Sequence, residues 1–243
     1  MTLNSFFQTF LKHIEELRSR TIKSAGAFVL AFCLCYNFIG KLIPVLTAPA
    51  GHLVFTAPTD AFAAFMTVGS LMALFVASPF IVYQIWAFVA GALKPSEKKF
   101  VLVFAPLSLL FFLSGAAFAY FLAVPRAYRF LMSFSSGYLI PMVTVNNYLG
   151  FLGHMIMAFG VAFELPLILA FLAKIGIASP EYLRQKRRHA VVIILIAAAL
   201  LAPPDIVSML ILAIPLLVLY EVGIVFVKFF YDRKEWSKRR PQT

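Results

Sequence analysis

The stretch Phe100 to Val124, FVLVFAPLSLLFFLSGAAFAYFLAV, decides the class of this fold. It carries no charged side chain, and about 25 residues at a rise of 1.5 Å span a hydrocarbon layer about 30 Å thick. Similar apolar runs recur on both sides of it. The whole chain of 243 residues is 62% hydrophobic, more apolar surface than one water-soluble core of that length could enclose. The sequence reads as an all-α polytopic membrane protein, a single transmembrane domain over residues 1–243.

Working outward, six spans emerge, at about 21–43, 62–90, 100–124, 148–175, 190–202 and 206–228. The first is read as ending before Pro44, and a Pro/Ala/Thr-rich stretch over 44–60 follows it. Gly91 to Lys99 forms a short polar hinge, and after Pro125 a longer loop is expected to reach Asn147. The fifth span is short: about thirteen apolar residues give only some 20 Å, so the bilayer is expected to thin around spans five and six.

Six spans put four polar segments on one side of the membrane. Lys12, Arg18, Arg20 and Lys23 precede span one; Lys94, Lys98 and Lys99 lie between spans two and three. Lys174, Arg184, Lys186, Arg187 and Arg188 separate spans four and five, and the last six bases follow span six. Of the 21 Lys and Arg residues, only Lys41, Arg126 and Arg129 fall on the other side. The positive-inside rule then places both termini in the cytoplasm, and losing or adding one span would destroy the asymmetry. Most of these bases serve topology and contact with anionic lipid. They border spans and are not gathered on a separate domain, which argues against nucleic-acid binding.

Before the first span, Leu3, Phe7, Phe10, Ile14 and Leu17 follow helical spacing, with Glu16 on the polar side. Residues 1–20 are expected to form an amphipathic helix on the cytoplasmic membrane surface, not a cleaved signal. Residues 229–243 form a basic tail. Cys33 and Cys35, two apart on a helix, project to different faces and are read as packing residues.

The acids stand out in a chain of formal charge +11. Glu16 and Glu97 lie in polar segments beside spans and, by the span count, on the same side. There they could form an acidic clamp for a cationic ligand inside a basic collar; taken alone, each reads as an ordinary surface acid. Glu164 lies deep in span four before Pro166, where a carboxylate costs about 2.5–3.5 kcal/mol on the lenient insertion scale. It is either a neutral group hydrogen-bonded to a neighbouring helix or a functional one, taking a proton or meeting a partner helix. Asp205 reads as a helix cap for span six. Glu221, near the cytoplasmic end of that span, can snorkel or pair with a base.

Catalytic signatures are absent: the sequence has neither Gly-x-Ser nor His-Glu-x-x-His, and no Gly-rich phosphate loop. His13, His52, His154 and His189 are scattered over different segments, against a metal cluster. The chain is read as neither an enzyme nor a metal or cofactor protein.

Five motifs together resemble one family. His13-Ile14-Glu15-Glu16-Leu17-Arg18-Ser19-Arg20 is similar to its H-x-x-E-L-R-x-R, and Ser78 to Phe88 (SPFIVYQIWAF) to its second-span signature. Glu97-Lys98-Lys99 matches the end of its first cytoplasmic loop. Phe159 to Pro166 matches F-G-x-x-F-E-x-P, and Pro203-Pro204-Asp205 with Ser208 matches P-P-D-x-x-S. The family is TatC, the receptor subunit of the twin-arginine protein translocase, and the likeness runs from about residue 13 to Glu221.

The resemblance implies a glove-shaped six-helix protein of the bacterial inner membrane, present in several copies in a complex. It would bind twin-arginine signal peptides of folded cargo and work with TatA- and TatB-type subunits under the proton-motive force. Position by position, Glu16 and Glu97 would contact the signal's two arginines, with Arg18 and Phe88 nearby. Pro49 would sit in a sensitive outer loop, and Glu164 would meet a partner's transmembrane helix. Ala202, Met209 and Gly91 depart from the usual Thr, Gln and Pro; Gly91 suggests a looser hinge. Arginine's planar fork suits a carboxylate bidentately, whereas lysine offers a point charge, and the surrounding bases would weaken casual cation binding. The rivals are a proton-coupled secondary transporter of a small solute using Glu164, and a scaffold that only assembles other subunits.

Overall fold

The computed structural model describes residues 3–95, 97–135, 141–201 and 206–230. Among them the regular structure is helical, joined by short turns and loops, with one isolated bridge between Val54 and Thr144. Nine α-helices follow one another among the described residues: α1 (Leu3–Cys35), α2 (Ile39–Thr47), α3 (Pro58–Ala92), α4 (Lys98–Phe118), α5 (Val124–Met132), α6 (Val145–Lys174), α7 (Pro180–Gln185), α8 (Arg187–Leu201) and α9 (Ile206–Phe230). Among the described residues, five segments are long and apolar enough to cross a membrane: His13–Ala50, Pro58–Gly91, Lys98–Met132, Val145–Lys174 and Met209–Lys228. The expected fifth span is α8, short at 15 residues.

Several boundaries differ from the sequence reading. Residues 3–20 are no separate surface helix: α1 runs unbroken through residue 20 to Cys35, because no Gly or Pro interrupts Arg18 to Lys23. Nor does Pro44 end the first span. It lies inside α2, and the chain tightens upstream into a 3-10 turn at Tyr36–Phe38. Pro125 does not open a loop either. A π-helical turn at Ala119–Ala123 precedes it, and α5 carries on to Met132. The wide turn already departs from the i→i−4 ladder, so a residue without a donor costs less there.

The chain divides into two compact units. The first comprises residues 1–44 and 65–109. Its core sets Ala31 of α1 against Ala73 and Ala77 of α3, with Phe28, Phe32 and Ile81 packed around them. At the polar end of α3, Trp86 meets Phe104 of α4 with ring centroids 5.8 Å apart, clamping the α3–α4 hairpin.

The second unit, residues 45–64 and 110–243, is built on α6. Phe118 packs against Phe159 and Phe163 of that helix, at 5.2 and 5.4 Å. A methyl on Gly115 would collide with the backbone carbonyl of Phe159, so only glycine allows α4 to approach α6 this closely. Thr144 caps α6, its hydroxyl accepting from the Asn147 amide. On the far side Gly223 of α9 lies against Pro166 and Leu169. The half-exposed Arg187–Glu221 ion pair, at 2.6 Å, joins α8 to α9, and the Tyr220 hydroxyl donates to the carbonyl of Leu183. Glu221 thus takes the ion pair expected of it.

Candidate functional site

Glu16 sits on α1 four residues before Arg20, so the two share a helix face. Arg20 donates to Oε1 of Glu16 from Nε at 3.1 Å and from Nη2 at 2.7 Å. A third donor, Nη1, reaches Oε1 of Gln84 on α3 at 3.1 Å. Gln84 is buried, whereas the Arg20 and Glu16 side chains are 24% and 31% exposed. Arg18, two residues from Glu16 on the helix, is exposed and turned to another face.

The same face of α3 carries the rest of this corner. Residues 84, 88 and 91 are spaced four and three apart, which stacks Gln84, Phe88 and Gly91 in one row. At the top of the row, a methyl on Gly91 would stand 3.2 Å from Oε2 of Glu16 and 3.4 Å from Oε1. Gly91 is therefore no loose hinge. It belongs to the last turns of α3 and leaves room for a carboxylate. Phe88, half-buried, falls between the two positions that meet α1.

Glu97 stands six residues beyond Gly91, at the end of the turn leading into α4. Its amide donates to the Lys94 carbonyl at 2.9 Å, and its Oε2 accepts from the Lys94 amide at 3.3 Å. Its own carbonyl accepts from Phe100 as α4 begins. The residue is only 8% exposed. The sequence suggested a surface acid; the structure holds its carboxylate by the backbone, at a helix start that favours negative charge. Lys94, Lys98 and Lys99 around it are exposed.

The remaining candidates lie in the second unit. Glu164 is half-buried, one residue after Phe163 in the middle of α6. Pro49 lies in a 3-10 turn, Ala48–Ala50, held from both sides: the Tyr120 hydroxyl donates to the Val45 carbonyl at 2.6 Å, and the Tyr128 hydroxyl to the Ala50 carbonyl at 3.3 Å. Asp205, with Ala202, lies outside the described residues.

The structure therefore gathers Glu16, Phe88 and the start of the Glu97 turn at one end of the α3–α4 hairpin and leaves Arg18 off to the side. Arg20 and Gln84 lie inside the quoted motifs, but the sequence reading gave neither a role in the site. The Glu-to-Arg spacing of four was a visible signal for the first, and the lone polar side chain in an apolar run was one for Gln84.

Fold and site define a class: an all-helical polytopic membrane protein that holds carboxylates at the polar end of a helical hairpin. Residues 12–215 match the family model of the Sec-independent protein translocase protein TatC. The Sec-independent protein translocase protein TatC of Desulforapulum autotrophicum is 38% identical over 233 residues, covering 93% of this chain and 86% of that protein. That of Carboxydothermus hydrogenoformans is 38% identical over 237 residues, covering 96% and 97%. A crystal structure of the twin arginine translocase receptor TatC superimposes with a TM-score of 0.80 at 34% identity, over 90% of this chain and 99% of that one. The chain belongs to the TatC family and is a subunit of a Sec-independent protein translocase. Membership does not favour the small-solute transporter.

Proposed function

We propose that this protein is the receptor subunit of twin-arginine translocation, in which Glu16 and Glu97 bind the paired arginines of a signal peptide. The observation that carries the reading is the placement of both carboxylates at one end of the α3–α4 hairpin, one beside Gly91 and the other held by the Lys94 amide. A guanidinium fork can engage a carboxylate with two parallel hydrogen bonds, while an ammonium cannot. Two anchored acids therefore select two arginines. Phe88 offers its ring to the stem or plane of an arginine, and Arg18 lies at the margin of the site.

In this role the protein sits in the bacterial inner membrane with both termini in the cytoplasm, where 18 of its 21 bases fall by span count. It acts without enzymatic chemistry, in several copies with TatA- and TatB-type single-span subunits, and is driven by the proton-motive force. Glu164 contacts a partner's transmembrane helix, and Pro49 and Asp205 shape the outer loops.

A folded reporter carrying a twin-arginine signal, compared with the same reporter carrying twin lysine, tests the reading in a strain without its own receptor. Export of the first and retention of the second is the expected result. Equal export of both, or of neither, overturns it.

A further inference from the structure

Arg20 is given no contact with the signal peptide in the reading above, yet it places a guanidinium on the carboxylate meant for a signal arginine. We propose that Arg20 is an internal stand-in for that arginine: it occupies Glu16 until a signal peptide arrives and is then passed to Gln84. The proposal rests on the reading of Glu16 as an arginine-binding carboxylate.

Three features carry it. First, the contact is suboptimal for its chemistry. Both Arg20 donors converge on Oε1, at 3.1 and 2.7 Å, whereas a fork-to-fork pair would use one oxygen per donor and is stronger. An incoming arginine that pairs one donor with each oxygen makes the stronger contact. Second, the contact is cheap to break, because it is a partly exposed pair within one helix, a class worth little to stability. Third, the displaced guanidinium has a place to stay. Nη1 already donates to the buried Gln84 on α3, so Arg20 keeps a partner as it leaves Glu16.

The consequence is selectivity. Glu16 is never offered as a bare anion. A ligand cation must displace a guanidinium, which a signal arginine achieves with two aligned donors and a lysine ammonium does not. Arg20 thus acts as a specificity-determining residue by raising the threshold for binding, an attraction turned against the wrong ligand.

The test uses the full chain in lipid nanodiscs, titrated with a fluorescent synthetic twin-arginine signal peptide and its twin-lysine counterpart. Wild type is compared with Arg20→Gln, Arg20→Lys, Glu16→Gln and the Glu16→Gln/Arg20→Gln double variant. Arg20→Gln is expected to tighten twin-arginine binding about three- to fivefold, the range of a partly exposed ion pair, and twin-lysine binding by more, so the preference between them narrows. Arg20→Lys keeps the charge and loses the fork; it is expected to gain part of this effect, which simple relief of positive charge would not produce. In the Glu16→Gln background, Arg20→Gln is expected to gain nothing. Unchanged or weaker binding in Arg20→Gln, or an equal gain with Glu16 removed, overturns the proposal while leaving the site intact. If Glu16→Gln binds both peptides as wild type does, the site reading fails and takes the proposal with it. Should Arg20→Gln not elute as native protein, Arg20→Lys alone decides between a partial gain and none.

Discussion

In the most apolar window of the first span, His13–Ala50, only 17% of residues are buried; in α6 the share is 56%. The two segments are almost equally hydrophobic, with mean hydropathies of 1.9 and 2.2, so composition does not separate them. Position does. In the second unit α6 is wrapped by aromatic and glycine contacts from α4 and α9 and serves as its frame. In the first unit α1 lies thinly against α3 through alanines and carries a polar network at one end. A membrane protein can spend its tight packing in one place and keep its binding chemistry in another, since lipid accepts an unburied apolar helix at no penalty.

That contrast can be broken by moving charge in the first unit and bulk in the second. Glu97→Lys and Glu16→Ala are expected to give the largest functional effect, weakening twin-arginine peptide crosslinking by more than about tenfold, since truncating one partner of a hydrogen-bonded charge pair is costly. Membrane insertion, read by protease protection, should persist. Undiminished crosslinking in both variants would remove the site.

Gly115→Leu is the counterpart. Its side chain would enter the backbone of Phe159, and overpacking of this kind costs about 1–3 kcal/mol. The thermal transition of the purified protein should fall, with peptide affinity below that transition nearly unchanged. A large loss of affinity at intact stability would mean that the frame and the site are not separable.

Gly91→Ala probes the site more gently. Its methyl would meet the Glu16 carboxylate at 3.2 Å, and the flexible acid can give way by a few tenths of an ångström. A two- to threefold loss of peptide affinity, about the worth of a perturbed surface pair, is expected without a change in melting temperature. A gain in affinity would show that the glycine holds the acid too loosely.

The smallest effect belongs to Tyr148. Its hydroxyl is buried with no hydrogen-bond partner among the described residues, while its ring packs on Tyr128 at 5.3 Å. Tyr148→Phe keeps the ring and removes an unsatisfied donor, so stability should stay within about 1 kcal/mol of wild type or rise. A clear fall in the melting temperature would reveal a partner for the hydroxyl.

The long spans were legible because about 20 apolar residues leave the chain few alternatives in lipid. The misread boundaries all lay near prolines or at the membrane edge. Pro44 and Pro125 look like stops in a string of letters, yet the 3-10 turn at Tyr36–Phe38 and the π turn at Ala119–Ala123 let the helices run on. Irregular turns of this sort depend on what packs beside them, which no local propensity records. The join of residues 3–20 to the first span was missed because amphipathic spacing reports which face is polar and says nothing of where a helix ends.

The candidate site divides in the same way. The motifs pointed to Glu16, Phe88 and Glu97, and the Lys and Arg distribution pointed to one side of the membrane. The burial of Glu97, the fit of Gly91 to Glu16 and the contact of Arg20 with Gln84 join residues far apart in the chain. By itself the sequence determined that the chain is helical, enters the membrane and repeats its charge bias from loop to loop, since these follow from hydrophobic length and local charge. Which acid is sheltered, which base rests on it and which glycine makes room were decided by the tertiary structure alone, because hydrogen bonds and close approaches act over a few ångströms between elements that sequence order does not bring together.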